Sequence, residues 1–202
     1  QNEGVTLPDT AITVVHRSDE SGTTENFVEY LHPAAPKVWT DEVPGDWPAA
    51  IVAENAQGTS GVASTTTNTD GAITYADASA VGGLGTVKVK VGDEYVAYSP
   101  EAAAKAVDAA SPVEGRSDID MALNLERDTA ESGAYPVVLV SYHIYCSSYK
   151  DQATAGLVKA FGNYVISEEG QAAAQGSAGS APISDTLREE AKAAIDSIKV
   201  AS

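Results

Sequence analysis

The residues best suited to chemistry in this sequence lie between Arg17 and Thr23. Arg17 and Asp19 are followed by Ser21, Gly22 and Thr23. A guanidinium offers paired N–H donors that fit a tetrahedral oxyanion, and a nearby carboxylate can hold it in position. The two hydroxyls add donors, and Gly22, which lacks a Cβ, lets the backbone approach an anion closely. This set of residues predicts an anion-binding site.

The elements around this stretch predict how its donors converge. Apolar residues at 12, 14 and 15 favour a half-buried strand, and Ser21 suits the N-cap of a helix that carries Phe27, Val28 and Leu31. A helix N-terminus has unpaired N–H donors and the positive end of a dipole, both of which stabilise an anion. An ordinary strand-to-helix turn with a surface Arg–Asp pair explains the same spacing equally well.

The composition argues against several classes of partner. The chain has 202 residues, of which 29 are acidic and 12 are basic, so its formal net charge is -17. Such a surface repels nucleic acid and anionic lipid. Charges beyond a Debye length of about 8 Å are screened at physiological salt, so the net acidity does not prevent a local anion site. No apolar run approaches the roughly 20 residues that a membrane span needs.

The remaining pattern predicts alternating strands and helices in a chain long enough for one large or two small domains. A second anion candidate at residues 58–62 lacks a neighbouring arginine, so plain helix capping is the favoured interpretation. The glycines at 82, 83 and 85 lack the strand and helix context of a dinucleotide site, and no cofactor is predicted. The predicted elements are strands at 50–53 and 71–76, a hairpin at 86–97, helices at 99–110, 151–167 and from 184, and a central strand at 135–142.

Three other functions remain as alternatives. Ser21 could act as a nucleophile with His16 as base, as in a secreted phosphatase or esterase, but there is no Gly-x-Ser-x-Gly elbow. His16, Asp19 and Glu20 include metal-ligand types, although such loop clusters arise readily by chance, and no metal site is predicted. A surface-binding module that transports nothing is the third alternative, and it predicts no selective affinity for an anion.

Residues 12–24 closely resemble the signature of the phosphate-binding proteins of phosphate-specific ABC transporters, the PstS family. Further matches follow in family order at residues 71–75, 135–138, 167–171 and 181–182. The resemblance covers nearly the whole chain. Overall, the sequence is most similar to the actinobacterial members of the family.

This resemblance implies an α/β fold of the type II periplasmic-binding-protein-like class, with two hinged domains that hold phosphate without catalysis. By analogy, Arg17, Ser21, Gly22 and Thr23 bind phosphate and Asp19 pairs with the arginine. Glu20 stands where the family often has glycine. The implied partners are phosphate and the permease subunits of an ABC transporter. The implied location is extracytoplasmic, either lipid-anchored at the cell surface or periplasmic or secreted.

The resemblance also implies how the chain is divided. Residues 1–134 would form most of the second, phosphate-binding domain, and residues 135–202 would return to the first. The family's N-terminal segment, with its own phosphate-contacting Thr, Ser and Asp, has no counterpart before Gln1. We therefore expect a companion polypeptide or a cleaved product that supplies it, with a disulfide to Cys146 as one means of attachment.

Overall fold

A computed structural model describes residues 4–41 and 45–201 of the chain. The chain divides into two compact units, Gln1–Leu84 and Gly85–Ser202. The predicted boundary between residues 134 and 135 concerns the two domains of a longer protein, and it stays a prediction. No helix in the described part of the chain is long and apolar enough to cross a membrane.

The first unit is built on a short parallel sheet with the strand order β2-β1-β3. Its elements are β1 (Thr13–Arg17), α1 (Gly22–Ala34), β2 (Glu54–Ala56), α2 (Gly58–Thr67), β3 (Ala72–Thr74) and a 3-10 turn at Ala78–Ala80. Because β2 and β3 flank β1 on opposite sides, the strand order reverses at β1. In open parallel sheets, ligands bind beyond the carboxyl ends of the strands at such a reversal.

The strand, loop and helix predicted around residues 12–24 are confirmed. Ser21 is the N-cap of α1, as expected from its side chain. The fully buried side chains include Val15 of β1, Val28 of α1 and Val62 of α2, so each element contributes to the core of this unit. The strand predicted at 50–53 is wrong, because pairing with β1 begins only at Glu54.

The second unit is built from three two-stranded sheets and four helices within the described residues. Its elements are β4 (Val89–Val91), β5 (Glu94–Val96), α3 (Pro100–Asp108), β6 (Ser111–Pro112), β7 (Leu123–Asn124), β8 (Ser148–Tyr149), α4 (Gln152–Ile166), α5 (Glu168–Ala178), α6 (Asp185–Asp196) and β9 (Lys199–Val200). The predicted hairpin is confirmed as β4 and β5, which are antiparallel. Ser99 and Ser184 cap α3 and α6 as predicted.

The central strand predicted at residues 135–142 is wrong. The segment has no strand assignment, and Ile144 just beyond it is 93% exposed. Two of its carbonyls, at Pro136 and Val138, instead accept hydrogen bonds from the Arg127 guanidinium at 2.9 and 2.8 Å. A strand needs a neighbour that completes its ladder, and no strand among the described residues pairs with this segment.

The helix predicted at 151–167 is confirmed as α4, but two of its larger apolar side chains face solvent. Leu157 and Phe161 are 72% and 53% exposed. The buried positions are Ala155 and Gly162, and a Cβ at Gly162 would lie 3.1 Å from the Ile195 side chain of α6. The helix therefore packs on α6 through small residues and leaves Leu157 and Phe161 uncovered by the described part of the chain.

The turn before β3 depends on a glycine. Gly71 has a φ of +74°, and a Cβ there would lie 2.8 Å from both the Ala11 carbonyl oxygen and Thr10 Cγ2. We expect Gly71→Ala to lower the free energy of unfolding by about 1–3 kcal/mol, because the new methyl group has neither space nor a relaxed backbone. Urea denaturation measures this. Gly83→Ala is the control, since a Cβ there meets nothing within 4 Å; equal stability of the two variants would contradict the prediction.

Candidate functional site

The site begins at the carboxyl end of β1, where Arg17 and Asp19 form an ion pair. Arg17 Nε donates to Asp19 Oδ1 at 2.8 Å, and Arg17 Nη2 donates to Asp19 Oδ2. The Arg17 side chain is only 12% exposed. Two parallel hydrogen bonds between the guanidinium and the carboxylate fix both position and orientation of the charged group. The pairing predicted for these residues is therefore present in the fold.

The pair shifts the pKa of both partners in the directions that favour their charged forms. The hydrogen bonds from Arg17 hold the pKa of the Asp19 carboxyl far below its usual range, and the Gly58 N–H adds to this effect. The hydrogen bond with Asp19 raises the pKa of Arg17, against the opposing effect of burial. Both groups therefore stay ionised across the physiological pH range.

The second anion candidate lies beside this pair. Gly58, the first residue of α2, donates its N–H to Asp19 Oδ1 at 3.0 Å, and Arg17 Nη1 donates to Thr59 Oγ1 at 3.4 Å. The N-cap residue Gln57 makes no capping bond with its own side chain. The N-terminus of α2 is thus capped by the Asp19 carboxylate from the loop after β1. Capping is the interpretation that the sequence favoured for this stretch.

The first turn of α1 holds the other predicted residues. Ser21 Oγ accepts the Thr23 N–H at 3.1 Å, and the Ser21 N–H donates to the Gly45 carbonyl oxygen at 2.9 Å. Gly22 is exposed. Within residues 4–41 and 45–201, neither the Gly22 N–H nor the Thr23 hydroxyl has a hydrogen-bond partner. These two groups are free to donate to an anion at the positive end of the helix dipole.

All five predicted residues therefore lie between the end of β1 and the first turn of α1. Arg17 and Asp19 contact each other, and Ser21 contacts Thr23. This edge of the sheet is also where the strand order reverses. That these side chains bind phosphate stays a prediction.

Sequence reasoning missed Tyr75, which follows β3 directly. The Tyr75 hydroxyl oxygen accepts the Arg17 backbone N–H at 3.2 Å and lies 2.7 Å from Thr24 Oγ1. The topology of the sheet could have identified Tyr75, because the carboxyl ends of neighbouring parallel strands lie at one edge of a sheet. Using it requires knowing that β3 lies next to β1.

An aromatic column packs behind the site. His16 stacks on Trp47 with ring centroids 4.9 Å apart, Trp47 lies 6.0 Å from Tyr75, and Tyr75 lies 4.7 Å from Phe27. Trp39 meets Trp47 edge-on at 5.4 Å. Both tryptophans therefore serve as packing anchors of the first unit.

The geometry gives no support to the alternative chemistries. His16 Nδ1 donates to the Arg17 carbonyl oxygen at 2.7 Å, and no hydrogen bond joins His16 to Ser21 in the described structure. A general base must reach the proton it removes. Among the residues that the structure describes, no group of three His, Cys, Asp or Glu side chains is placed to hold a metal ion.

Comparison with known proteins identifies the family. The sequence model described as "PBP superfamily domain" matches residues 1–169. The chain belongs to the PBP superfamily. The α/β fold of the periplasmic-binding-protein-like class expected from the sequence is confirmed by this match, and mixed strands and helices agree with it.

Named phosphate-binding proteins are similar to the chain over nearly all of its length. Phosphate-binding protein PstS 3 of Mycobacterium leprae is 33% identical over 201 residues, which are 98% of this chain and 54% of that protein. Phosphate-binding protein PstS 2 of Mycobacterium tuberculosis is 31% identical, with the same shares covered. The resemblance to the PstS proteins is confirmed, and the chain spans about half the length of these curated relatives.

A solved structure shows the same fold. It is a high-affinity periplasmic phosphate-binding protein (PfluDING) bound with phosphate, and it matches with a TM-score of 0.58 at 23% identity. The match covers 91% of this chain and 57% of that one. At this level of identity the likeness establishes the PBP fold.

We expect the Arg17–Asp19 pair to make the free energy of unfolding depend on pH in acid. An unfolded aspartate has a pKa of about 3.9, and the folded pKa of Asp19 is lower. The pair therefore stabilises the fold above about pH 4, and this contribution is lost as the pH falls further through the folded pKa. We expect Asp19→Asn to be less stable than the wild type at pH 7, with the difference shrinking below pH 4.

Urea denaturation at a series of pH values measures that difference. Asp118→Asn is the control, because Asp118 is exposed and makes no hydrogen bond with any described residue. If the Asp19→Asn difference is independent of pH from 7 down to 3, the pair does not contribute in this way.

Proposed function

We propose that this chain carries a phosphate-binding site of an extracytoplasmic substrate-binding protein that delivers inorganic phosphate to an ABC transporter. The observation that carries the proposal is the position of Arg17, fixed by Asp19 at the sheet edge where free donors of α1 begin. The named relatives are phosphate-binding proteins, which supports this choice of anion.

The donors of Arg17 suit this role. A guanidinium has five N–H groups. Asp19 engages one on Nε and one on Nη2, and Thr59 engages one on Nη1. One N–H on each terminal nitrogen thus remains without an acceptor among the described residues. Donors on these two neighbouring nitrogens suit two oxygens of a tetrahedral anion.

Binding at this site depends on hydrogen bonds more than on net charge. Asp19 already balances the charge of Arg17. The added favourable groups are the Gly22 N–H and the hydroxyls of Ser21 and Thr23 at the N-terminus of α1. Neutral donors at a helix N-terminus stabilise an anion without a second cation. A protein with a strongly negative total charge can therefore bind phosphate locally.

The site is proposed to bind phosphate and not to hydrolyse its esters. Ser21 Oγ accepts a hydrogen bond from its own helix, and the His16 ring is held by Arg17 and Trp47. The relatives named above are phosphate-binding proteins, and none of them supports the hydrolase alternative. Capture and release would then follow from opening and closing of a cleft.

The location and partners follow from the same proposal. An extracytoplasmic receptor would meet the permease subunits of its transporter at the membrane surface. The solved relative is described as periplasmic, which supports a location outside the cytoplasm. Attachment by a lipid anchor and a free periplasmic or secreted form are both compatible with this role.

The exposed apolar residues of the second unit support a further polypeptide segment. Ile144 belongs to a segment that pairs with no strand among the described residues, and Leu157 and Phe161 lie exposed on α4. The His143 ring lies 6.1 Å from that of Phe161, which places the segment beside the helix. Apolar groups so exposed gain stability when covered. We propose that the remainder of the fold covers them, on the same or a companion chain.

Calorimetric titration with phosphate tests the binding site. We expect Arg17→Ala to weaken phosphate binding by about 100-fold or more, because two charge-assisted hydrogen bonds are lost. Arg116→Ala is the matched control, since Arg116 also pairs with an aspartate, Asp120, but on the exposed surface of the second unit. Equal affinity of Arg17→Ala and the wild type would overturn the assignment. A parallel titration with sulfate measures selectivity.

The state of Cys146 tests the companion polypeptide. Cys146 is exposed and is followed by β8. If it holds a partner segment by a disulfide, thiol titration of the protein isolated without reductant should find no reactive thiol, and reduction should release a second polypeptide visible by mass spectrometry. One reactive thiol per chain would contradict the disulfide. Cys146→Ser provides the blank for the titration.

A further inference from the structure

The Tyr75 hydroxyl joins the two ends of the loop that carries the proposed phosphate donors. It lies 3.2 Å from the Arg17 backbone nitrogen and 2.7 Å from Thr24 Oγ1. Arg17 ends β1, and Thr24 lies in the first turn of α1. Ser18 to Thr23 run between these two contacts.

The contact with Arg17 satisfies a donor that the sheet leaves unpaired. Thr13 N–H donates to the Gly71 carbonyl on the β3 side, while Ser18 N–H donates to Ala56 on the β2 side. Alternation along a strand therefore points the Arg17 N–H toward β3. The pairing of β3 with β1 ends at Thr74 opposite Val15. The hydroxyl of Tyr75 thus takes the place of a backbone acceptor beyond the end of β3.

The contact with Thr24 completes the hydrogen bonding of the phenol. Because the Arg17 N–H can only donate, the Tyr75 oxygen accepts there, and its own O–H can donate to Thr24 Oγ1. Thr24 is fully buried, and Tyr75 is 8% exposed. A buried hydroxyl that loses its partner costs free energy, so this connection resists opening.

The ring of Tyr75 is held independently of its hydroxyl. It stacks on Phe27 with an interplanar angle of 17° and lies nearly parallel to Trp47, at 14°. A phenylalanine at this position keeps both ring contacts and removes only the oxygen. The chain therefore offers a clean separation of packing from hydrogen bonding.

We propose that Tyr75 is a positioning residue that holds the Arg17–Thr23 loop in its binding geometry. This inference rests on the proposed function. A loop fixed at both ends loses less conformational freedom when it closes on a ligand, so affinity rises without any contact between Tyr75 and phosphate. Removing the hydroxyl disconnects the end of β1 from the start of α1. Part of the binding free energy is then used to order the loop, so the affinity for phosphate falls.

Titration of Tyr75→Phe with inorganic phosphate tests the proposal. We expect about tenfold weaker binding, since one hydrogen-bonded connection is worth about that factor. Thr24→Val should weaken binding similarly and add little in combination with Tyr75→Phe. Two controls accompany them: Tyr30→Phe removes the hydroxyl of a tyrosine on α1, and Val62→Ala truncates a fully buried side chain of α2 in the core of the same unit.

Hydrogen exchange of the Arg17 amide, followed by NMR without phosphate, provides the second readout. We expect faster exchange in Tyr75→Phe than in Val62→Ala, because only the first removes the acceptor of that amide. Three results would each overturn the proposal. The Arg17 amide could exchange as slowly in Tyr75→Phe as in the wild type, or Tyr75→Phe could bind phosphate as tightly as a wild type that binds it. Val62→Ala could also lose as much affinity as Tyr75→Phe.

The two proposals fail in different ways. A wild type that does not bind phosphate would overturn the proposed function. The role of Tyr75 in fixing the loop would then be decided by the exchange rate of the Arg17 amide alone.

Discussion

The first unit depends on the ion pair between Arg17 and Asp19. It joins the end of β1 to the following loop, and the same carboxylate reaches the first N–H of α2. One charged group therefore fixes three pieces of backbone at the carboxyl edge of the sheet. An unpaired arginine at this level of burial would be costly, and an unpaired helix end would lack its acceptor. The pair therefore neutralises the arginine and caps α2. It also leaves two guanidinium N–H groups without an acceptor among the described residues.

This arrangement also explains how the chain can be acidic overall and yet suited to an anion. The local positive potential comes from oriented backbone dipoles, and Arg17, whose charge Asp19 balances, adds directed N–H donors. Distant carboxylates are screened by salt, whereas hydrogen bonds at contact distance are not. Specificity for one anion over another then rests on the positions of donors, and those positions are set by the loop between β1 and α1.

Features that depend on neighbours in sequence were predictable. Ser21, Ser99 and Ser184 each bond to a backbone N–H two or three residues away, so the helix starts follow from local chemistry. The contacts that define the site's surroundings join residues far apart: Asp19 and Gly58 are separated by 39 positions, and Arg17 and Tyr75 by 58. They require the strand order, which a single sequence does not reveal. The prediction of a central strand at residues 135–142 was wrong for a related reason. Apolar character predicts burial, but it does not show that a partner strand lies alongside.

The aromatic column also carries fluorescent side chains. Both tryptophans of the chain belong to it, and Trp47 lies against the imidazole of the residue that precedes Arg17. Indole emission responds to the distance and charge of a stacked neighbour. A movement at the end of β1 that shifts this imidazole relative to Trp47 is therefore expected to change the tryptophan fluorescence, without a dye or a label. The fold thus includes its own optical reporter of events at the edge of the sheet.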